Sequence, residues 1–315
     1  MRFTVEINQE SLHPSIILKD NDTGCFAEIF SLGALLNAFH IPKGNSTVNI
    51  IDGFESIEEA AANTTNGFKS AKLSPFVCRM KHGEYNLNNE NYKIEKFYLE
   101  PHAIHGIIFD AFFTIVDSSA NEENATVVLQ HNYLRTDKGY PFNYTTTITW
   151  KLEANFSLTV TTTVKHSNND QIPFADGWHP YFTLGETIDN CTLQLDSNEQ
   201  LEFDETLIPT RNTITDNRFI NAKTLKNIEL DNCFKLSGAK QPTCILKNAD
   251  LQLTILPSTA YPFLQVYTPP HRKSIAIENL SAAPDAFNNK IGLLFLEPNK
   301  DYNFTTKYIV KSLHI

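Results

Sequence analysis

The sequence predicts an all-β protein, a large antiparallel β-sandwich or barrel. Three observations carry this expectation. β-Branched and aromatic residues alternate with polar ones over many short segments. Turn-forming residues separate those segments at short intervals. Helical periodicity is scarce, and no repeat of fixed period appears along the 315 residues.

Taken in order, residues 1–7 alternate like a strand. Residues 31–40 read equally as a helix or as a strand pair, and residues 56–62 as a short helix. An apolar stretch runs from 74 into Arg79 and reads as a strand. Pro101 and Gly106 bound a turn ahead of an expected strand over 107–116. Segments 125–131, 144–152 and 156–165 are richest in β-branched residues, with a hairpin turn at 153–155. Further strands are expected over 191–195, 251–255, 263–267, 274–277, 291–296 and 302–310. The polar stretches 121–124, 185–190 and 196–200 are short enough to be loops. With no linker in sight, residues 1–315 are expected to form a single domain.

Composition narrows the function. The chain is 41% hydrophobic, enough for a sizeable core. Its formal net charge of -10 argues against nucleic acid or an anionic membrane as partner. The longest apolar runs, such as 291–296, are far too short to cross a bilayer. The N-terminus lacks the features of a signal peptide, so a cytoplasmic location is expected. Cys25, Cys78, Cys191, Cys233 and Cys244 are scattered, without CxxC spacing, and read as reduced thiols. The Asn143 and Asn155 sequons then read as incidental. Neither GxGxxG nor GxxxxGK[ST] occurs, so no nucleotide or other cofactor is expected.

The residues suited to chemistry lie beside strands. In 274–288 an alternating strand, with Ile275 and Ile277 on one face, runs into Glu278 and then a Pro284-Asp285 turn. Glu278 is either a site carboxylate at the end of that strand or a solvated edge residue. His179 stands between Trp178 and Pro180, which favours a strand end at a rim. It is either an acid/base group or a stacked structural histidine. Trp178, Tyr181 and Phe182 read mostly as core. Asp285 reads as a turn or cap residue. His102 and His105 are three apart, as helical metal ligands can be. Pro101 and Gly106 argue against that helix and no third ligand is evident, so no metal is expected. Arg79 suits a hydroxyl or carboxylate clamp or a surface ion pair. Asp231 suits a binding residue or an Asx turn.

Together these segments resemble the aldose 1-epimerase (galactose mutarotase-like) family. The resemblance rests on Gly177-Trp-His-Pro-Tyr-Phe182, on Gln265-Val-Tyr-Thr, and on Ile275-Ala-Ile-Glu278 through Pro284-Asp-Ala-Phe-Asn288. His105-Gly106, Pro75-Phe-Val-Cys-Arg79 and Asp231-Asn-Cys-Phe234 extend it, as does an opening hairpin within 26–49. It implies a β-supersandwich that interconverts α and β anomers of an aldose, a small monosaccharide, without metal or cofactor. Carried over by position, Glu278 is the base and His179 the acid. His105 assists at the ring oxygen, and Arg79 and Asp231 bind sugar hydroxyls.

Mutarotation removes a proton from the anomeric hydroxyl while the ring oxygen gains one. The ring opens, C1 rotates, and the ring recloses on its other face. One base and one acid on opposite sides of the pyranose meet that need. His179 is then expected to carry its proton in the free enzyme, its pKa raised by the acidic site. Three departures from the family pattern bear on sugar identity. Cys78 stands where Asn is usual, Thr210-Arg211 replaces Thr-Gly, and Phe112-Phe113 replaces an aromatic that is often Trp. Other readings stay open. A hexose-6-phosphate epimerase would need cations such as Arg79, Arg135 or Arg211. A carbohydrate-binding protein on the same scaffold would need no catalysis. A glycosidase would pair Glu278 with Asp231. Neither the sugar nor the oligomeric state is legible.

Overall fold

The computed structural model describes residues 1–313 apart from 10–12, 45 and 239–243. Two large antiparallel sheets dominate it. A nine-stranded sheet runs in the order Thr114–Ala120, Asn124–Tyr133, Tyr144–Glu153, Ser157–Lys165, Tyr302–Ser312, Leu251–Pro257, Cys244–Lys247, Thr192–Leu195, Lys223–Thr224. An eight-stranded sheet is centred on Asp231–Lys235, Phe263–Tyr267, Ile275–Leu280, Gly177–His179 and Ala71–Leu73. A five-stranded sheet begins with Phe3–Asn8 and ends with Ser46–Asn49. No helix among the described residues is long and apolar enough to cross a membrane.

Alternation of side chains builds the core. In Tyr144–Glu153 every second residue, from Tyr144 to Leu152, is buried, and the residues between are half-buried. Trp150 meets Trp178 at 5.6 Å and Tyr308 meets Phe182 at 5.6 Å between ring centroids. The nine-stranded sheet thus packs on one face of the eight-stranded sheet. One continuous apolar cluster draws on residues from Phe3 to Val310. The opposite face of the eight-stranded sheet carries a smaller cluster that includes Phe68, Cys78, Ile104 and Cys233.

Several boundaries differ from expectation. Residues 31–40 supply the turn and the start of the second strand of the pair Phe26–Phe30 and Leu36–Lys43. The short helix forms over Ile57–Asn63, with the Ser56 hydroxyl accepting from the Glu59 amide at 3.2 Å. The stretch from 74 into Arg79 is mostly loop: strands cover only Ala71–Leu73 and Arg79–Met80. The expected strand over 107–116 begins only at Thr114. Its first half instead bonds to other loops, Ile107 N–H to Ser74 O at 2.8 Å and Phe113 N–H to Ser31 O at 2.9 Å. Apolar content predicted burial there; partners of the backbone decided its shape.

Candidate active site

The alternation that sends Ile275 and Ile277 into the core sends Glu278 to the other face of the eight-stranded sheet. The strand runs on through Asn279 and Leu280, so Glu278 lies inside it, buried, and not at its end. Trp178 pairs with Asn279, which sets His179 beside Glu278. On the far side Glu278 pairs with Gln265, and Gln265 with Cys233. His179, Glu278, Gln265 and Cys233 therefore form one row across four strands. Asp231 and Tyr267 follow one step along, again as a pair.

Two loops cover this row. Cys78 and His105 both have left-handed backbone, with φ of 48° and 62°. The His105 amide donates to the Cys78 carbonyl at 2.9 Å. Gly106 locks the loops together, because a Cβ there would stand 2.3 Å from the Ser74 carbonyl oxygen and its φ is 80°. Arg79 continues from Cys78. The Asp285 amide donates to the Arg79 carbonyl at 2.7 Å, and the Asp285 carboxylate accepts from the Lys81 amide at 2.9 Å. Asp285 is thus a turn residue that ties down the Arg79 segment, as its place after Pro284 indicated.

Between loops and sheet lies a cavity of about 290 Å³, walled by Cys78, Arg79, His105, His179, Asp231 and Glu278 and by Gln265, Tyr181 and Tyr267. All five residues singled out from the sequence meet there. The His179 Nε2 lies 3.3 Å from a Glu278 oxygen, and the Cys78 thiol contacts the other oxygen at 3.8 Å. His105 packs edge-on against His179 with ring centroids 4.8 Å apart. The Gln265 amide donates to Asp231 at 2.6 Å. No ion pair to Arg79 occurs among the described residues; it lines the cavity and acts at longer range on Asp231 and Glu278.

The 3.3 Å contact leaves no room for a sugar ring between His179 and Glu278. They stand side by side, not on opposite sides of a ring. Nor is His179 at an open rim: it is buried beside Tyr181. Its protonation also differs from expectation. Burial pushes the imidazole down to about 4, whereas an acidic neighbourhood was expected to raise it. The reason is the burial of His179 itself; burial likewise pushes Glu278 well above the usual carboxylate range, with Asp231 adding to it. Burial, then His179 and Arg79, holds His105 well below its ordinary value. Burial raises Asp231, opposed by Arg79 and Gln265.

Sequence reading missed Gln265 and Tyr267 as cavity-lining residues and Cys233 as their buried neighbour in the row. The period of two along 263–267 and 231–235 could have indicated their shared face, but not which strands are neighbours. Of the three departures in sequence, only Cys78 lines the cavity; Phe113 is core, Phe112 is exposed and Arg211 lies on an outer strand. Arg211 has φ 76°, the conformation a glycine takes freely, so the backbone is kept while the residue changes. Among the described residues His102 joins no metal-competent group with His105; its Nδ1 instead accepts from the His82 amide at 3.0 Å.

A sequence model described as aldose 1-epimerase matches residues 15–309. Uncharacterized protein YihR of Escherichia coli (strain K12) is 27% identical over 237 residues, covering 73% of this chain and 75% of that protein. A galactose mutarotase-like protein of Clostridium acetobutylicum has a similar structure, with a TM-score of 0.87 at 17% identity over 99% of both chains. Galactose 1-epimerase of Lactobacillus acidophilus NCFM gives a TM-score of 0.84 at 20% identity over 100% of both. At these identities the structural likenesses establish the fold, a galactose mutarotase-like β-sandwich, and no more.

Proposed function

The chain belongs to the aldose 1-epimerase family, and on that premise we propose that residues 1–315 act as one unit interconverting the α and β anomers of a free aldose. The observation that carries this reading is the His179–Glu278 contact of 3.3 Å on the floor of a sugar-sized cavity. The anomeric hydroxyl and the ring oxygen are bonded to the same carbon. An acid and a base side by side therefore serve both oxygens from one side of the ring better than a pair across it. Burial disfavours charge on either group, so the pair holds a single proton between them.

The chemistry follows from that one proton. In the free pocket burial, which disfavours charge on both groups, favours that proton on Glu278. A sugar hydroxyl donating to the carboxylate favours the charged form, as does Arg79, and the proton shifts to His179. Glu278 then takes the proton of the anomeric hydroxyl while His179 protonates the ring oxygen, assisted by His105. The ring opens, C1 rotates, and the same two groups exchange roles to reclose it. Arg79 and Asp231 bind the sugar's other hydroxyls, with Gln265 orienting the Asp231 carboxylate. Orientation and one acid/base pair suffice for a reaction that already proceeds slowly in water.

Arg79 is the one cation lining the cavity among the described residues; Arg135 and Arg211 are not there. That favours a free sugar over a hexose 6-phosphate, whose dianion calls for several donors. Asp231 is committed to Gln265, which disfavours it as the second acid of a glycosidase. Polarimetry from fresh α-glucose, α-galactose and other aldoses tests the reading. Acceleration of anomer exchange that Glu278→Gln removes supports it. No acceleration with free sugars but activity on a hexose 6-phosphate would transfer the site to phosphorylated substrates. Inactivity on both, with sugar still bound, would leave a binding protein.

A further inference from the structure

Cys78, His105 and Glu278 form a cluster whose combined chemistry the proposed reaction does not use. One ligand atom of each lies within 4.8 Å of the other two, and all three residues are buried. Thiol sulfur, imidazole nitrogen and carboxylate oxygen make the mixed donor set of four-coordinate zinc, whereas magnesium and calcium take oxygen ligands. A second observation points the same way. The Nδ1 of His105 is buried with no hydrogen-bond partner among the described residues. The His179 Nε2 lies 3.3 Å from Glu278 but outside this group of three, which leaves the fourth position to solvent.

We propose that this pocket binds a thiophilic divalent cation, with zinc as the representative ion, through Cys78, His105 and Glu278, and that the ion competes with the sugar. The scaffold suits the task. Glu278 is held inside a strand, and Cys78 and His105 are joined through the 2.9 Å bond between their backbones. Around a tetrahedral ion with bonds of roughly 2.0–2.3 Å, ligand atoms sit roughly 3.5 Å apart, so side-chain rotations of about 1 Å close the site. Cys78 and Glu278 both give up their protons to solvent as their bonds to the metal form, and the thiol–Glu278 contact is lost. Glu278 bound to the ion no longer serves as a base. The thiol makes this possible: an amide side chain at position 78, the residue usual in the resemblance, is a much poorer ligand for such an ion.

Metal binding itself does not depend on the epimerase reading; only the competition does. Titration of the intact, chelator-treated chain with zinc alone, followed by calorimetry, reads the binding directly. One ion per chain is expected, and cobalt in its place should give a sulfur-to-metal charge-transfer band. Cys78→Ser should abolish that band and weaken zinc binding by about 100-fold or more, beyond the loss known for outer-shell partners. Cys191→Ser, remote from the cavity, should change neither. Absence of stoichiometric binding, a cobalt spectrum without the thiolate band, or equal affinity in Cys78→Ser would each overturn the site. Undiminished binding of a free aldose at saturating zinc would overturn the competition alone. Inactivity of the metal-free enzyme on all aldoses would defeat the epimerase reading and leave the metal site standing.

Discussion

Two buried ionisable pairs lie against opposite faces of the eight-stranded sheet, and they differ in what surrounds them. On the core face, the Lys72 ammonium lies 2.6 Å from Asp176, with both side chains fully buried. Protein groups close around that pair, although the Asp176 Oδ1 has the ammonium and no hydrogen-bond partner besides among the described residues. Tyr261 donates to Asp176 at 2.6 Å, Lys72 donates to the Gly177 carbonyl at 3.1 Å, and the Trp178 ring lies 4.5 Å from the ammonium. On the cavity face, His179 and Glu278 touch at 3.3 Å, yet the ring nitrogens His179 Nδ1 and His105 Nδ1 and the Gln265 carbonyl oxygen have no hydrogen-bond partner among the described residues. A buried pair closed in by the protein's own charges, donors and rings holds the fold together. A buried pair beside unmatched polar atoms and an empty volume is arranged for something that arrives.

The comparison breaks most easily at Glu278. Glu278→Gln should lower the rate of anomer exchange by about 10²–10⁴-fold, the usual contribution of a positioned acid/base group. It should also raise the melting temperature at neutral pH. Glu278 has a folded pKa above its ordinary 4.5, so the folded chain takes up a proton there. Its stability contribution is therefore present below that value and lost as pH rises; glutamine has no such loss. A variant both inactive and less stable would place Glu278 with Lys72 as a structural residue.

Lys72→Ala is the mirror experiment. Removing one partner leaves Asp176 buried and unpaired, which costs about 3–5 kcal/mol of folding stability. Chemical denaturation should show that loss, while sugar affinity of the folded fraction changes little. Gly106→Ala comes next. A Cβ would press on the Ser74 carbonyl and the left-handed φ would be strained, for a loss of about 1–3 kcal/mol. Because Gly106 positions the loops of Cys78 and His105, KM should rise as well. Unchanged kinetics would show that the loop contact serves packing alone.

The pH profile of kcat/KM sharpens the difference without mutation. Below about 4 the imidazole of His179 gains a second proton for the pair, no base remains, and activity should fall tenfold per unit. On the alkaline side activity falls once the single shared proton leaves, above the ordinary carboxylate range. An acid limb near 6.5 would mean an unperturbed histidine and an open site. The smallest effect is expected at Arg211→Gly. With φ at 76° and no place in the cavity wall, the change should shift stability by less than about 1 kcal/mol and leave KM unaltered.

Much of this was legible in the chain itself. The class of fold followed from alternation in segments such as 144–152 and 156–165, because one buried face imposes a period of two. The same period told that Glu278 faces away from Ile275 and Ile277, and the motifs around His179, His105, Arg79 and Asp231 marked residues that do share one cavity. The Glu278 strand end was misjudged because Asn279 and Leu280 extend the ladder through pairs with Trp178 and Gly177, distant in sequence.

What the sequence by itself determined is local: which residues alternate, where the chain turns, and which side chains bear chemistry. Tertiary structure alone decided which strands are neighbours, and so that Cys233, Gln265, Glu278 and His179 stand in one row. It alone brought Cys78 to Glu278 and Lys72 to Asp176. It also set the protonation of His179, since a pKa depends on the solvent a group has lost and the charges it meets, and neither is encoded within a few residues of the group.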